Sequence, residues 1–129
     1  MTKETDNWET PKWLMNTFER MYEGVQDACP IDSKESGFNC LKIDKWDYQG
    51  VIYLNPPYSD PLPFVLKGIE EHKKSKALIV FLLKVDTTTK WYKALVEANA
   101  HFLYFAERLH YSESKESPPF SSMLAILSD

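Results

Sequence analysis

Only four glycines occur in the 129 residues, none of them in G-x-G spacing, so the chain has no glycine-rich phosphate loop of the usual kind. Its two cysteines, Cys29 and Cys40, exclude a disulfide framework, and neither belongs to a CxxC pair. They read as reduced, partly buried thiols. The longest apolar run, Ala77 to Leu83, is seven residues, far short of the ~20 needed to span a bilayer. The opening segment MTKETDNWETPKW is polar and has no apolar signal-peptide core. Positive charge is not in excess either: 15 basic against 19 acidic residues give a net charge of −4 and a pI near 5.4. That balance argues against a surface that coats itself in nucleic acid and leaves room only for a local basic groove. His72, His101 and His110 have no metal-ligand spacing, so no metal site is assigned. There is no repeat, low-complexity tract or linker. What is present is a 43% hydrophobic, 26% charged chain with enough apolar residues for one core. The expectation is a single domain over residues 1–129, soluble and cytoplasmic, with no membrane contact.

The order of residues predicts alternating helices and strands. Thr10-Pro11 opens a helix with a capping hydroxyl and a proline at its first position. Leu14, Phe18, Met21, Tyr22 and Val25 then share one helical face, with Gly24 near the end. The segment from Asp27 to Asn39 is rich in turn residues and reads as loop. Val51-Ile-Tyr-Leu54 is a short strand stopped by prolines. A helix follows over about Leu62 to Lys74, with Val65, Ile69 and His72 along one side. Ala77 to Leu83 (ALIVFLL) is apolar throughout, as a strand covered on both faces is. Asp86-Thr-Thr-Thr89 supplies caps for a helix containing Trp91, Tyr92, Leu95 and Val96, and His101 to Phe105 is the next strand. Leu109–Tyr111 and Met123–Leu127 are expected to pair as a C-terminal antiparallel hairpin. The pattern predicts an α/β fold: a mostly parallel sheet with an antiparallel edge. In such sheets ligands bind beyond the carboxyl ends of the strands, and Asn55-Pro-Pro-Tyr58 lies at one of them.

That tetrapeptide carries the chemistry. Two consecutive prolines fix φ and remove two donors, leaving the carbonyls of the turn available to a cavity. An asparagine amide, a proline carbonyl and an aromatic face at one strand end suit a planar group bearing an NH2. The competing reading is a rigid strand-to-helix turn with Tyr58 packed in the core.

Asn-Pro-Pro-Tyr after a hydrophobic strand resembles the signature of AdoMet-dependent amino-methyltransferases, which act on adenine N6, cytosine N4 and protein glutamine. Trp8-Glu-Thr-Pro11, Asp27-Ala-Cys-Pro30, Leu54-Asn-Pro-Pro-Tyr-Ser59, Asp86-Thr-Thr-Thr-Lys-Trp91 and the stretch from Arg108 to Ser122 follow in an order that resembles the phage-type DNA N-6-adenine methyltransferase family. The resemblance covers nearly the whole chain. It implies a reduced Rossmann-like methyltransferase fold, S-adenosyl-L-methionine (AdoMet) as cofactor and DNA with a flipped adenine as partner. Asn55, Pro56, Pro57 and Tyr58 become the catalytic group. The Asn55 side chain and Pro56 carbonyl would hold the exocyclic amine for in-line attack on the methyl of AdoMet, with Tyr58 as the stacking platform. Thr10, Pro11, Asp27, Ala28 and Cys29 would contribute to the cofactor site, with Asp44 a further candidate. Each has a plainer alternative: a helix cap for Thr10-Pro11 and turn positions for Asp27 and Asp44. Only 27 residues separate Asp27 from Asn55, so either Asp-Ala-Cys-Pro replaces the glycine loop or the cofactor half is reduced.

On the nucleic-acid side, Lys84, Thr87 and Lys90 follow the ALIVFLL strand and offer a phosphate contact at a helix start. Ordinary capping beside a solvated lysine is the alternative. Arg108 is a candidate for phosphate or base, or else pairs with Glu107. Lys73-Lys74-Ser75-Lys76 reads as a helix end, and Ser112 to Pro119 as a loop over the pocket. A chain this short has no evident target-recognition domain, which implies low sequence specificity or a homodimer. Cytosine N4, RNA or protein glutamine remains open as the acceptor, and so does a degenerate fold serving as a nucleic-acid-binding or interaction module.

Overall fold

Val51 to Leu54 forms a strand, as its β-branched and aromatic run predicts, and all four residues are buried. The computed structural model describes residues 10–21, 25–27, 51–57, 59–106 and 121–128. In chain order these form α1 (Lys12–Met21), β1 (Val25–Asp27), β2 (Val51–Leu54), α2 (Leu62–Ser75), β3 (Leu78–Lys84), α3 (Lys90–Glu97), β4 (His101–Tyr104) and β5 (Ser122–Leu127). The strands make one five-stranded sheet in the order β1-β2-β3-β5-β4. β1, β2 and β3 pair in parallel, whereas β5 is antiparallel to both its neighbours.

The sheet is therefore mixed rather than mostly parallel, and the reversed strand is not an edge. β5 lies between β3 and β4, with Ala125 opposite both Phe81 and Phe102. Leu109–Tyr111, the expected hairpin partner, lies outside the described residues. The physical reason for this placement is in the side chains. Met123-Leu-Ala-Ile-Leu127 is apolar on both faces and needs cover on both, whereas His101, Leu103 and Tyr104 of β4 are exposed and tolerate an edge.

Strand alternation sorts the core into two layers. Val51, Tyr53, Val80, Leu82 and Leu124 face Leu14 and Phe18 of α1. Ile52, Leu54, Ile79, Phe81, Leu83, Met123, Ala125 and Leu127 face Val65 of α2 and Trp91 and Leu95 of α3. The β3 run is buried on both faces, as expected, and each large side chain sealed there contributes ~1.5–3 kcal/mol.

α1 is shorter than its sequence pattern. It ends at Met21, which is 66% exposed, and Val25 begins β1 instead of closing the helix. Register with β2 (Val25↔Val51, Asp27↔Tyr53) overrides the helical spacing, and Asp27 ends a strand where a loop was expected. Pro11 stands one position earlier than predicted: its carbonyl accepts from the Leu14 and Met15 amides at 3.1 and 3.2 Å, as an N-cap carbonyl does. α2 closes on Lys76, which takes the left-handed conformation (φ 63°) and donates its amide to the His72 carbonyl at 2.8 Å. His72 Nδ1 in turn donates to the Ala77 carbonyl at 2.6 Å, tying helix end to strand start.

Candidate active site

The parallel pairing of β1, β2 and β3 brings their carboxyl ends to one edge of the sheet. Asp27 ends β1, Asn55 follows β2, and Lys84 ends β3 opposite Ser122, the first residue of β5. Most of the candidate residues within the described chain lie along this edge.

Asn55 continues the alternation of β2, so it falls on the same side as Val51 and Tyr53, toward α1. Its Nδ2 donates to Thr10 Oγ1 at 3.1 Å. Thr10 Oγ1 is also 2.8 Å from the hydroxyl of Tyr53, and both Thr10 and Tyr53 are buried. This three-residue chain anchors Nδ2 of the half-buried Asn55 amide. Thr10 was expected to cap α1 or contact cofactor. Its hydroxyl bonds both Tyr53 and Asn55, and the first amides of the helix are accepted by the Pro11 carbonyl.

Of the two proline carbonyls, that of Pro57 accepts from the Asp60 amide at 3.3 Å within the turn. The Pro56 carbonyl accepts from none of the described residues. The Asn55 amide oxygen and the Pro56 carbonyl are two acceptor groups of this loop. Tyr58 lies outside the described residues, as do Ala28, Cys29, Asp44, Arg108 and the loop from Ser112 to Pro119.

The β3–α3 connection contains the expected caps. Thr89 is the N-cap of α3, accepting from the Tyr92 amide at 3.2 Å. The Asp86 carboxylate accepts from the Thr88 hydroxyl at 2.6 Å and the Thr88 amide at 3.1 Å. Lys84 Nζ lies 3.8 Å from that carboxylate, so a phosphate there would meet a partly neutralised ammonium. Thr87 and Lys90 are exposed beside it. The Thr88 hydroxyl, then the Thr88 amide and the Lys84 charge, hold the Asp86 carboxyl below the usual carboxylate range. Because the folded value is depressed, this contribution to stability is present above ~3.9, the unfolded value, and is lost as pH falls through the folded one. A carboxyl-carbon NMR titration should place the Asp86 midpoint below that of an unstructured aspartate, with the Thr88 amide shift following the same curve. A midpoint at the ordinary value would refute the Asp86–Thr88 hydrogen bonds.

Among the described residues no cluster of His, Cys, Asp or Glu is suited to hold a metal ion, and no helix is long and apolar enough to cross a membrane. Sequence reasoning missed Tyr53. The signal was available: a tyrosine in a sealed aliphatic strand needs a partner for its hydroxyl, and it stands two residues before Asn55 on the same face.

The chain is a mixed α/β protein with an Asn-Pro-Pro loop at the carboxyl edge of its parallel strands, the edge where open α/β sheets bind ligands. Residues 1–125 match the family described as DNA N-6-adenine-methyltransferase (Dam), and the chain belongs to that family. Similar proteins include the DNA N-6-adenine-methyltransferase of Haemophilus phage HP1 (strain HP1c1), 33% identical over 113 residues, covering 80% of this chain and 65% of the relative. Another is the DNA N-6-adenine-methyltransferase of Escherichia phage T1, 30% identical over 132 residues, covering 95% of this chain and 54% of the relative. The chain thus spans less than two thirds of the length of either. No solved structure matches it at a significant level.

Proposed function

We propose that this chain is an AdoMet-dependent methyltransferase acting on the N6 amine of adenine in DNA, with the Asn55-Pro-Pro-Tyr58 loop as its catalytic group on a Rossmann-like domain. One observation supports this above the others. The Asn55 amide is held by a buried hydroxyl at the carboxyl end of β2, next to a proline carbonyl that no described residue uses.

Adenine's exocyclic nitrogen is a poor nucleophile because its lone pair is delocalised into the ring. Acceptance of its two N–H groups by Asn55 Oδ1 and the Pro56 carbonyl favours a pyramidal nitrogen and stabilises the positive charge that develops on it. These groups act by position and field, without a covalent intermediate, and orientation alone can contribute ~7–11 kcal/mol in favourable cases.

Thr10 is left out of the proposed cofactor set because its hydroxyl bonds Tyr53 and Asn55. β1 ends at Asp27 beside β2, so Asp27-Ala-Cys-Pro30 starts where a glycine-rich loop would start in a longer sheet. Asp27, Ala28 and Cys29 with Pro11 would hold AdoMet, and Asp44 remains a further candidate. A carboxylate there accepts from the methionine ammonium or a ribose hydroxyl. Bound AdoMet supplies an electrophilic methyl group. Lys84, Thr87, Lys90 and Arg108 would contact the DNA backbone, Lys84 weakly because of Asp86.

Incubation with tritiated AdoMet and separate DNA, RNA and protein acceptors tests the reading. Label in N6-methyladenine of DNA is expected; label in cytosine, RNA or glutamine would reassign the acceptor. Absence of AdoMet binding by calorimetry would instead leave a non-catalytic binding module.

Tyr58 supplies a second test. Removing a base-stacking ring costs ~1–3 kcal/mol per base, so Tyr58→Ala should raise KM for DNA roughly 5- to 150-fold. Tyr58→Phe keeps the ring and should stay near wild type. A costly Tyr58→Phe with a lowered Tm would assign the side chain to the core.

A further inference from the structure

Thr10 precedes α1 by two residues, and its place in the sequence suggested a cap or a cofactor contact. Its environment points elsewhere. A threonine hydroxyl has one proton and two lone pairs. Here one lone pair receives the Asn55 Nδ2 proton at 3.1 Å, and a second contact is made with Tyr53 Oη at 2.8 Å. Both partners belong to the β2 segment, on its α1-facing side. Tyr53 is itself immobilised, fully buried and tilted against the Phe18 ring at a centroid distance of 5.3 Å. The α1 terminus is thus latched to the strand that delivers the NPPY loop, and the latch closes on the asparagine amide.

From this contact we infer that Thr10 is a positioning residue for Asn55: its hydroxyl, backed by Tyr53, turns the amide so that Oδ1 rather than Nδ2 is presented to the amine. The inference rests on the proposed methyl-transfer reading for its kinetic consequence and on geometry alone for the contact. An amide turned the other way would set an N–H against the N–H of the substrate and repel it. With the Thr10 proton donated to Tyr53 Oη, the hydroxyl can only accept from the amide, and a flipped Oδ1 would meet a lone pair there instead of a proton. Tyr53 acts one step further back, by fixing the Thr10 hydroxyl.

Thr10→Val removes the hydroxyl at nearly constant volume, and Thr10→Ser keeps it. Small misplacements of a reacting group can cost up to ~10²-fold, so Thr10→Val should lower kcat by ~10- to 10²-fold, with the AdoMet Kd and the KM for DNA within about twofold of wild type. Thr10→Ser should recover most of kcat, and Tyr53→Phe should fall between them. Added to Asn55→Ala, Thr10→Val should cost nothing further, because the residue it positions is gone. An independent readout is the Asn55 side-chain NH2 pair in a nitrogen–proton NMR spectrum, which should move on Thr10→Val and return on Thr10→Ser. A raised AdoMet Kd, or a loss that multiplies with Asn55→Ala, would make Thr10 a cofactor contact and overturn the inference. Unmoved Asn55 NH2 resonances would overturn it as well. If the wild type transfers no methyl to adenine, the functional reading fails, and the NMR comparison still decides whether Thr10 holds Asn55. Should Thr10→Val unfold, Thr10→Ser and Tyr53→Phe carry the same comparisons.

Discussion

Asn55→Ala is expected to lower kcat for adenine methylation by ~10²–10³-fold, by analogy with the loss of one preorganised hydrogen-bonding group in an oxyanion hole. The reasoning is differential. The amide oxygen meets the amine most strongly when positive charge builds on its nitrogen, so its removal falls on the transition state rather than on ground-state binding. AdoMet affinity should change by less than about twofold, since none of the proposed cofactor residues, Pro11, Asp27 to Cys29 and Asp44, is on the NPP loop. Stability should change only modestly. Asn55 is half-buried, and Thr10, which loses a donor, keeps its bond to Tyr53. Calorimetry with AdoMet, a melting curve and single-turnover methyl transfer on the same preparation separate the three quantities. A folded Asn55→Ala protein that methylates DNA at the wild-type rate would falsify the catalytic assignment. A loss of activity proportional to a lowered Tm would make the loop structural.

Much of this arrangement is legible in the sequence where side-chain pattern alone decides structure. Val51–Leu54 is a short β-branched and aromatic run closed by Asn-Pro-Pro, and only a buried strand satisfies both halves. ALIVFLL allows no solvent face, and the strand is sealed. The failures occur where a long-range partner decides. Val25 obeys helical spacing and still becomes strand, because Val51 is available beside it. Met123–Leu127 was read as an edge, although an uninterrupted apolar run requires neighbours on both sides. It has them in Phe81 and Phe102, both opposite Ala125. The site shows the same division. The NPPY motif is local and readable, whereas the Thr10–Asn55 bond joins residues 45 positions apart and becomes visible only once α1 lies on β2. Tyr53 is intermediate: a phenol in an aliphatic strand signals a polar partner without saying which one.

The largest expected loss of stability lies behind the site, where α2 meets β3. Gly68 of α2 is buried directly over Phe81, and a Cβ placed on it would be driven into the ring at Cζ, with Cε1 at 3.1 Å. On an exposed helix Gly→Ala gains ~0.5–1 kcal/mol from propensity. Here the ring cannot retreat, being fully buried in the layer formed by Ile52, Leu54, Leu83 and Trp91. Overpacking of this kind costs ~1–3 kcal/mol, so Gly68→Ala should destabilise despite its better helix propensity. Phe81→Ala removes the ring and leaves a cavity, at ~3–5 kcal/mol, a large part of the 5–15 kcal/mol (approximately) that holds a domain folded. Its Tm should fall by roughly 10–25 °C. The two effects should not add. In Gly68→Ala with Phe81→Leu, the smaller side chain makes room for the new methyl, and the double variant should be more stable than the sum of the singles by ~0.5–3 kcal/mol. Urea unfolding of the four proteins measures the coupling directly. Single-turnover activity well below each Tm should stay near wild type, which separates this pair from Asn55 and Thr10: the core variants lose folded protein, and the site variants lose rate. Stabilisation by Gly68→Ala would show that α2 does not press on Phe81 as the structure has it.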